Sequence, residues 1–297
     1  MGLLFGRRAI VTMGDVEIDG LRVAFKIEKN AVPEPNTAEI SVWNLSRDTR
    51  SRILQTTQTS YVGSSLESKQ VAGAKSVLVV LQVGYGKEIE QIFSGDIVRD
   101  GIGTVRDGGD WVMTFKAADG AEAFRTARIQ ETFAKHAKLA QVFKKVAENL
   151  GIGMGNALEK IKKGDTKGAL GEFFGGTVLS GQSHTEMTRL CDSLGYDWSI
   201  QDNQLQIIEK EGWMPDAPIL LTPDTGLVGS PEPAKHHKGK PYLTKFRSLL
   251  QPRIVPRKRV QLQTASVNGL FGIVKVLHSG DTAGQEWYSN CEARAVS

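Results

Sequence analysis

Through roughly the last eighty residues, short apolar runs are cut by Gly, Pro and Asn at close intervals. One reads Leu220-Leu221-Thr222-Pro223-Asp224-Thr225-Gly226-Leu227-Val228-Gly229-Ser230-Pro231, and another Asn268-Gly269-Leu270-Phe271-Gly272-Ile273-Val274. Such runs are too short for packed helices and fit strands joined by tight turns. The other end has the same texture. Val16 and Ile18, then Leu21, Val23, Phe25 and Ile27, alternate on either side of Asp19-Gly20, which predicts a hairpin turning there. Ala38, Ile40 and Val42 alternate again, as do Trp111, Met113, Phe115 and Ala117. The nearly continuous apolar run 77–83 predicts a strand covered on both faces.

Between these ends the period changes. Leu139, Val142, Phe143, Val146 and Leu150 follow helical spacing, with Gly151 as a stop. A second helix is predicted from Ser183, with Glu186 completing a capping box and Met187, Leu190, Cys191 and Leu194 on one face. Residues 196–200 and 205–208 read as a hairpin about Asp202-Asn203. The Gly/Lys-rich stretch 151–181 reads as a mobile or partner-ordered linker, with a short amphipathic helix over 156–163. The expected organisation is α+β and mainly β: a β-barrel domain over 1–127, a small α+β domain over 128–213 and a second β-barrel domain over 214–297.

Composition narrows the functional classes. The 297 residues carry 37 basic and 33 acidic side chains, an excess too small to point to a polyanionic partner. Cys191 and Cys291 stand at no metal or redox spacing, and Cys191 falls on an apolar helix face as a reduced core thiol. No stretch approaches the roughly 20 apolar residues of a membrane span. The start, Met1-Gly2-Leu3-Leu4-Phe5-Gly6-Arg7-Arg8, places charge after the apolar run, the reverse of a secretory signal. Neither secretion nor stable membrane association is expected.

Catalytic constellations are not apparent. His236-His237 lies among Lys235, Lys238 and Lys240, which oppose a metal cation. His278 and Asp281 sit in a His-Ser-Gly-Asp-Thr turn with no nucleophile elbow, so they are read as structural. Gly84-Tyr85-Gly86 and Gly101-Ile102-Gly103 do not open onto helices as dinucleotide loops do. The basic clusters at 160–163, 235–240 and 257–259 lack interleaved aromatics, so they read as charged faces rather than a single-strand platform. No catalytic residue, cofactor or metal site is assigned.

Three motifs occur in an informative order. Trp43-Asn44-Leu45-Ser46-Arg47-Asp48-Thr49-Arg50-Ser51-Arg52-Ile53 runs from a strand into about two turns of helix capped by Ser46. Leu179, Gly181, Met187, Leu190, Leu194, Gly195, Trp198, Ile200, Asp202, Leu205 and Ile207 mark the helix–hairpin unit. Thr225-Gly226-Leu227-Val228-Gly229-Ser230-Pro231, Ser248-Leu249-Leu250-Gln251-Pro252 and the 268–282 strand follow. Together they resemble bacteriophage tail baseplate hub proteins, the tail-tube-like barrel hubs related to late control protein D. Arg257-Lys258-Arg259 departs from the family, which often has Gly before that strand, and the long linker departs too.

The resemblance implies a structural virion protein of the phage tail, assembled in the host cytoplasm. It implies a homotrimer whose two barrels per chain give six around a lumen. That ring would adapt a three-fold spike or tip protein to the six-fold tail tube or tube initiator. The lumen would pass the tape measure protein and, transiently, DNA. Subunit contacts are expected at Trp43, Asn44, Leu45, Arg50 and Ile53, and at Thr225, Gly226, Leu227, Gly229 and Pro231. The competing readings are a tail-associated peptidoglycan-degrading enzyme and a nucleic-acid- or carbohydrate-binding β module.

Overall fold

The computed structural model describes residues 6–61, 77–156, 172–173, 176–233 and 243–296. In chain order, β1 (Arg7–Met13), β2 (Val16–Ile18), β3 (Val23–Asn30) and β4 (Thr37–Trp43) lead into α1 (Arg47–Tyr61). Next come β5 (Leu78–Tyr85), β6 (Glu88–Asp107), β7 (Asp110–Ala118), α2 (Ala121–Thr126), β8 (Arg128–Phe133), β9 (Ala137–Lys138) and α3 (Leu139–Asn149). After β10 (Glu172–Phe173) and β11 (Thr177–Gln182) follow α4 (Ser183–Leu194), β12 (Tyr196–Gln201) and β13 (Gln204–Glu209). The chain finishes with β14 (Ile219–Leu221), β15 (Leu227–Pro233), β16 (Leu243–Leu249), β17 (Arg259–Gln263), β18 (Asn268–Asp281) and β19 (Trp287–Ala295). The protein is mainly β and of α+β class.

These elements form two compact units. The first joins Met1–Lys29, Thr37–Ala118 and Asp216–Ser297; the second joins Asn30–Asn36 and Asp119–Pro215. The first unit holds one sheet of thirteen strands, with the path β15-β16-β19-β18-β3-β4-β7-β6-β5-β1-β2 and with β14 and β17 branching from β18. Strands from the two ends of the sequence, expected in separate barrels, are thus joined where β18 meets β3. Two cores lie within this unit. One gathers Val11, Val23, Ile40, Leu81, Phe93, Phe115 and Trp287. The other gathers Leu227, Phe246, Ile254, Leu262, Ile273 and Ala293.

The Asp19-Gly20 hairpin does not form. β2 pairs instead with β1, Met13 opposite Val16, so the tight turn falls at Gly14-Asp15, where Gly14 has φ 55°. The Asp19 carboxylate accepts from the Gly20 N–H and bonds Arg8, which draws it into a bend. β5 is not covered on both faces either. Val79, Leu81 and Val83 are buried, but Leu78 is 40% exposed. Ser46 does cap α1, its Oγ accepting from the Thr49 N–H at 3.0 Å. The helix, however, runs for 15 residues rather than two turns.

In the second unit, α3 and α4 pack Val142, Phe143, Val146, Met187 and Leu190 against Leu179, Trp198, Ile200 and Leu205. Gly151 follows α3 at φ 65°, as the stop predicts, and Asp202 and Asn203 both take positive φ between β12 and β13. The capping box at Ser183 is absent. Gln182 is the N-cap and has no side-chain cap. Ser183 is buried; its hydroxyl donates to Asn149 and its N–H to the Ala127 carbonyl at 3.0 Å, while Glu186 bonds Arg189 at 2.5 Å. Part of the expected linker is regular strand, since β11 pairs with β8 from Gln182–Arg128 to Thr177–Phe133. The proposed 156–163 helix, apart from residue 156, lies outside the described residues, as do the 160–163 and 235–240 clusters.

Candidate functional site

The first expected contact cluster forms at the end of β4. Trp43 is half-buried, with the Arg22 guanidinium 4.2 Å from its ring centroid. Asn44 turns the chain at φ 56° and is exposed. Its Oδ1 accepts from the Trp111 N–H at 3.2 Å, its Nδ2 donates to Asp110 at 3.0 Å, and its own N–H donates to the Trp111 carbonyl. Arg50 and Arg106 each lie 4.9 Å from the Trp111 ring. Leu45 and Ile53, by contrast, are buried in the core of their own unit. Asn44→Ala should therefore cost about 1–3 kcal/mol, from a left-handed alanine and two lost bonds. Asn44→Gly should recover part of this by relieving the backbone, and urea melts of the two variants will separate the contributions.

The second cluster is a turn. Thr222 and Thr225 cap each other reciprocally: the Thr225 N–H reaches Thr222 Oγ1 at 3.1 Å and the Thr222 N–H reaches Thr225 Oγ1 at 2.8 Å. Gly226 follows at φ 109°, and its carbonyl accepts from the Leu249 N–H at 2.7 Å. Leu227 and Pro231 are buried, while Gly229 is exposed at φ 72° where the pairing of β15 shifts register. Thr225 is exposed. Within the two clusters, Asn44, Thr225 and Gly229 lie at the surface, whereas Leu45, Ile53, Leu227 and Pro231 pack internally.

A third arrangement was not anticipated from the sequence. On β15, Glu232 stands opposite Lys245 of β16, and Lys245 stands opposite Glu292 of β19, with Nζ and Oε1 2.9 Å apart. Glu292 stands opposite Lys275 of β18, which bonds Glu28 of β3. Two residues along β3, Lys26 is opposite Glu39 of β4, itself opposite Lys116 of β7. Directly opposed side chains share a sheet face at about 5 Å between Cβ atoms. The sign of charge therefore alternates at every step across five strands, and again across three. Four glutamates meet four lysines.

The alternate residues Phe246, Val276, Ile27, Ile40 and Phe115 are buried, so the ladder occupies the face turned away from the cores. The hydrogen bond that Lys245 donates to Glu292 holds its ammonium above its usual pKa. Exposed pairs of this kind contribute only about 0–1 kcal/mol each. Alternation within β16 and β19 is visible in the sequence, but which charges face one another depends on strand register.

Among the described residues, those weighed for chemistry are buried or bonded within the chain. His278 is fully buried; its two ring nitrogens meet Ser289 Oγ at 2.8 Å and the Ile254 carbonyl at 3.1 Å. Asp281 bonds Arg22 instead, at 2.7 Å. In the 257–259 basic cluster, Lys258 bonds the Asp216 carboxylate and Arg259 its carbonyl, each at 2.7 Å. Both cysteines are buried, and burial pushes their thiols up from the usual range. No group of three or more metal-ligating side chains occurs among the described residues. No helix among them is long and apolar enough to cross a membrane.

Residues 8–278 match the family model described as baseplate hub gp41. The chain belongs to this family. The hub family is a component of the phage tail, in agreement with the sequence resemblance. No curated protein matches the chain by sequence. In three dimensions the hub chain is similar to a 43 kDa tail protein of prophage MuSo2 from Shewanella oneidensis, at 11% identity and TM-score 0.62, over 98% of each chain. It is also similar to a tail protein from Neisseria meningitidis, at 8% identity and TM-score 0.62, over 97% of this chain and 96% of that one. An E. coli type VI secretion component, itself described as similar to phage T4 tail proteins gp27 and gp5, matches at 10% identity and TM-score 0.56. That likeness covers 97% of this chain and 77% of the other. At such identities these structures show a shared fold.

Proposed function

We propose that the protein is a structural, non-enzymatic hub of the virion that forms a homotrimeric ring. Two barrel-like bodies per chain, one from each end of the sequence, make six positions around a central channel. The ring adapts a trimeric spike or tip to the six-fold tail tube or its initiator. Its channel admits the tape measure protein and then DNA. The observation that carries this reading is the pair of separate cores under one continuous sheet, since it supplies two bodies per chain joined edge to edge. The charged, exposed face of that sheet is the one we assign to the channel. Three-fold closure also covers sheet edges that would otherwise invite uncontrolled pairing.

The domain limits 1–127, 128–213 and 214–297 remain our division by function, with the 151–181 segment as the linker of the middle domain. The subunit contacts are placed at the surface members of the two turn clusters, with Trp43, Leu45, Arg50, Ile53, Gly226, Leu227 and Pro231 supporting them. Light scattering on the purified chain, alone and mixed with spike and tail-tube proteins, tests the reading. Particles of about three times 32.4 kDa, ring-shaped in negative stain, are expected. A chain that stays monomeric in every mixture would overturn it.

A further inference from the structure

Many proteins that meet nucleic acid do so through lysines on a sheet or helix face, each neutralising a phosphate and releasing a counterion. The ladder has such lysines, at 26, 116, 245 and 275, on one face of one sheet. It also places a glutamate across a strand from each of them. Glu39 lies between Lys26 and Lys116, Glu292 between Lys245 and Lys275, and Glu232 and Glu28 close the two ends of the longer row. The ladder side chains are exposed or half-buried, so a polyanion above the sheet has access to them. Arg247 on the same sheet is held by Asn290 at 2.7 Å and lies 5.2 Å from the Tyr288 ring.

We propose that Glu28, Glu39, Glu232 and Glu292 act as built-in counterions that stop this face from retaining nucleic acid. The inference rests on assigning the face to the channel and specifies how that surface treats its cargo. A lysine gains by displacing the cations condensed on the polyanion, and a lysine already paired with a fixed carboxylate must give up that partner to do so. Engaging phosphate would leave that carboxylate beside the polyanion, where the two repel. With each of its lysines matched, the ladder neither traps DNA nor excludes it, and it stays wet and polar for passage. A stability role does not require one glutamate for each lysine over seven strands, because exposed pairs contribute so little.

The test uses the full chain and a fluorescein-labelled 30-base-pair DNA duplex, with anisotropy read across a salt series. The wild type is compared with the quadruple variant E28Q/E39Q/E232Q/E292Q. A control, E17Q/E34Q/E88Q/E211Q, makes the same change in net charge at exposed glutamates that are not members of the ladder. The ladder variant is expected to bind at least tenfold more tightly near 0.1 M salt. Its slope of log K against log salt should steepen by about 2–4, at roughly 0.9 per phosphate engaged. Equal binding by wild type and ladder variant would overturn the proposal, as would equal gains in the ladder and control variants. Circular dichroism establishes that each variant is folded; if the quadruple variant is not, the pair E39Q/E292Q carries the same comparison with a slope change of about 1–2. The ladder is accessible in the single chain, so failure to form rings affects the channel assignment and leaves this readout intact.

Discussion

Trp287→Ala should destabilise the first unit by about 3–5 kcal/mol, the range for removing a large aromatic from a close-packed core. Trp287 is fully buried and begins β19, yet it packs with strands from the opposite end of the chain. Its ring meets Phe25 edge-on at 5.5 Å and Tyr85 at 6.4 Å, and the Arg7 guanidinium lies 5.8 Å away. Gly280 makes room for this pairing of rings. A Cβ there would sit 2.4 Å from the Phe25 ring and 2.7 Å from the Trp287 ring. Gly280→Val should therefore be destabilising through overpacking, by about 1–3 kcal/mol. Urea unfolding monitored by circular dichroism gives both values. A Trp287→Ala midpoint within error of the wild type would contradict the proposed packing.

Acid should weaken the same unit through His278. Burial, with nearby Lys29 adding to it, lowers the pKa of the imidazole from 6.5 to about 3. The ring nitrogens are satisfied in the neutral form: Nε2–H donates to the Ile254 carbonyl and Nδ1 accepts from Ser289, whose Oγ also accepts the Gln251 N–H at 3.1 Å. Between pH 6.5 and 3 the unfolded chain binds a proton that the folded chain refuses, so stability rises with pH across that window. The contribution is fully present above 6.5 and is lost as pH falls through 3, by about 5 kcal/mol at 1.36 kcal/mol per pKa unit. His278→Gln should be less stable at neutral pH and should lack this part of the acid slope. Parallel urea melts from pH 7 to pH 4 measure the difference. An unchanged slope in the variant would assign the acid sensitivity elsewhere.

How far the sequence could be read depended on the range of the interaction concerned. The helix stop at Gly151, the Ser46 cap and the Asp202-Asn203 turn depend on neighbours within a few residues, and each formed as expected. The Ser183 capping box failed because Asn149 and Ala127, remote in sequence, claimed the hydroxyl and the N–H. Asp19-Gly20 failed as a hairpin because β2 found a better partner in β1. The union of both chain ends in one sheet and the facing of charges along it rest on strand order and register, which no local pattern encodes. Of the expected contact residues, Leu45, Ile53, Leu227 and Pro231 illustrate a related ambiguity. A motif can recur because it closes its own fold, and an apolar residue within it reads the same in either role.

The junction of β3 with β18 also bears on how a subunit is made. The Val23 N–H bonds the Thr282 hydroxyl at 3.0 Å across 259 residues, and Arg7 reaches the Gly284 carbonyl across 277. Contacts this distant in sequence are slow to form. During synthesis the first strands leave the ribosome long before their partners exist, at about 5–20 residues per second. A nascent chain therefore waits tens of seconds with β3 paired to β4 but with its β18 edge open, and a chain that stops before β18 never covers that edge. Only a chain made through β19 can complete the whole sheet.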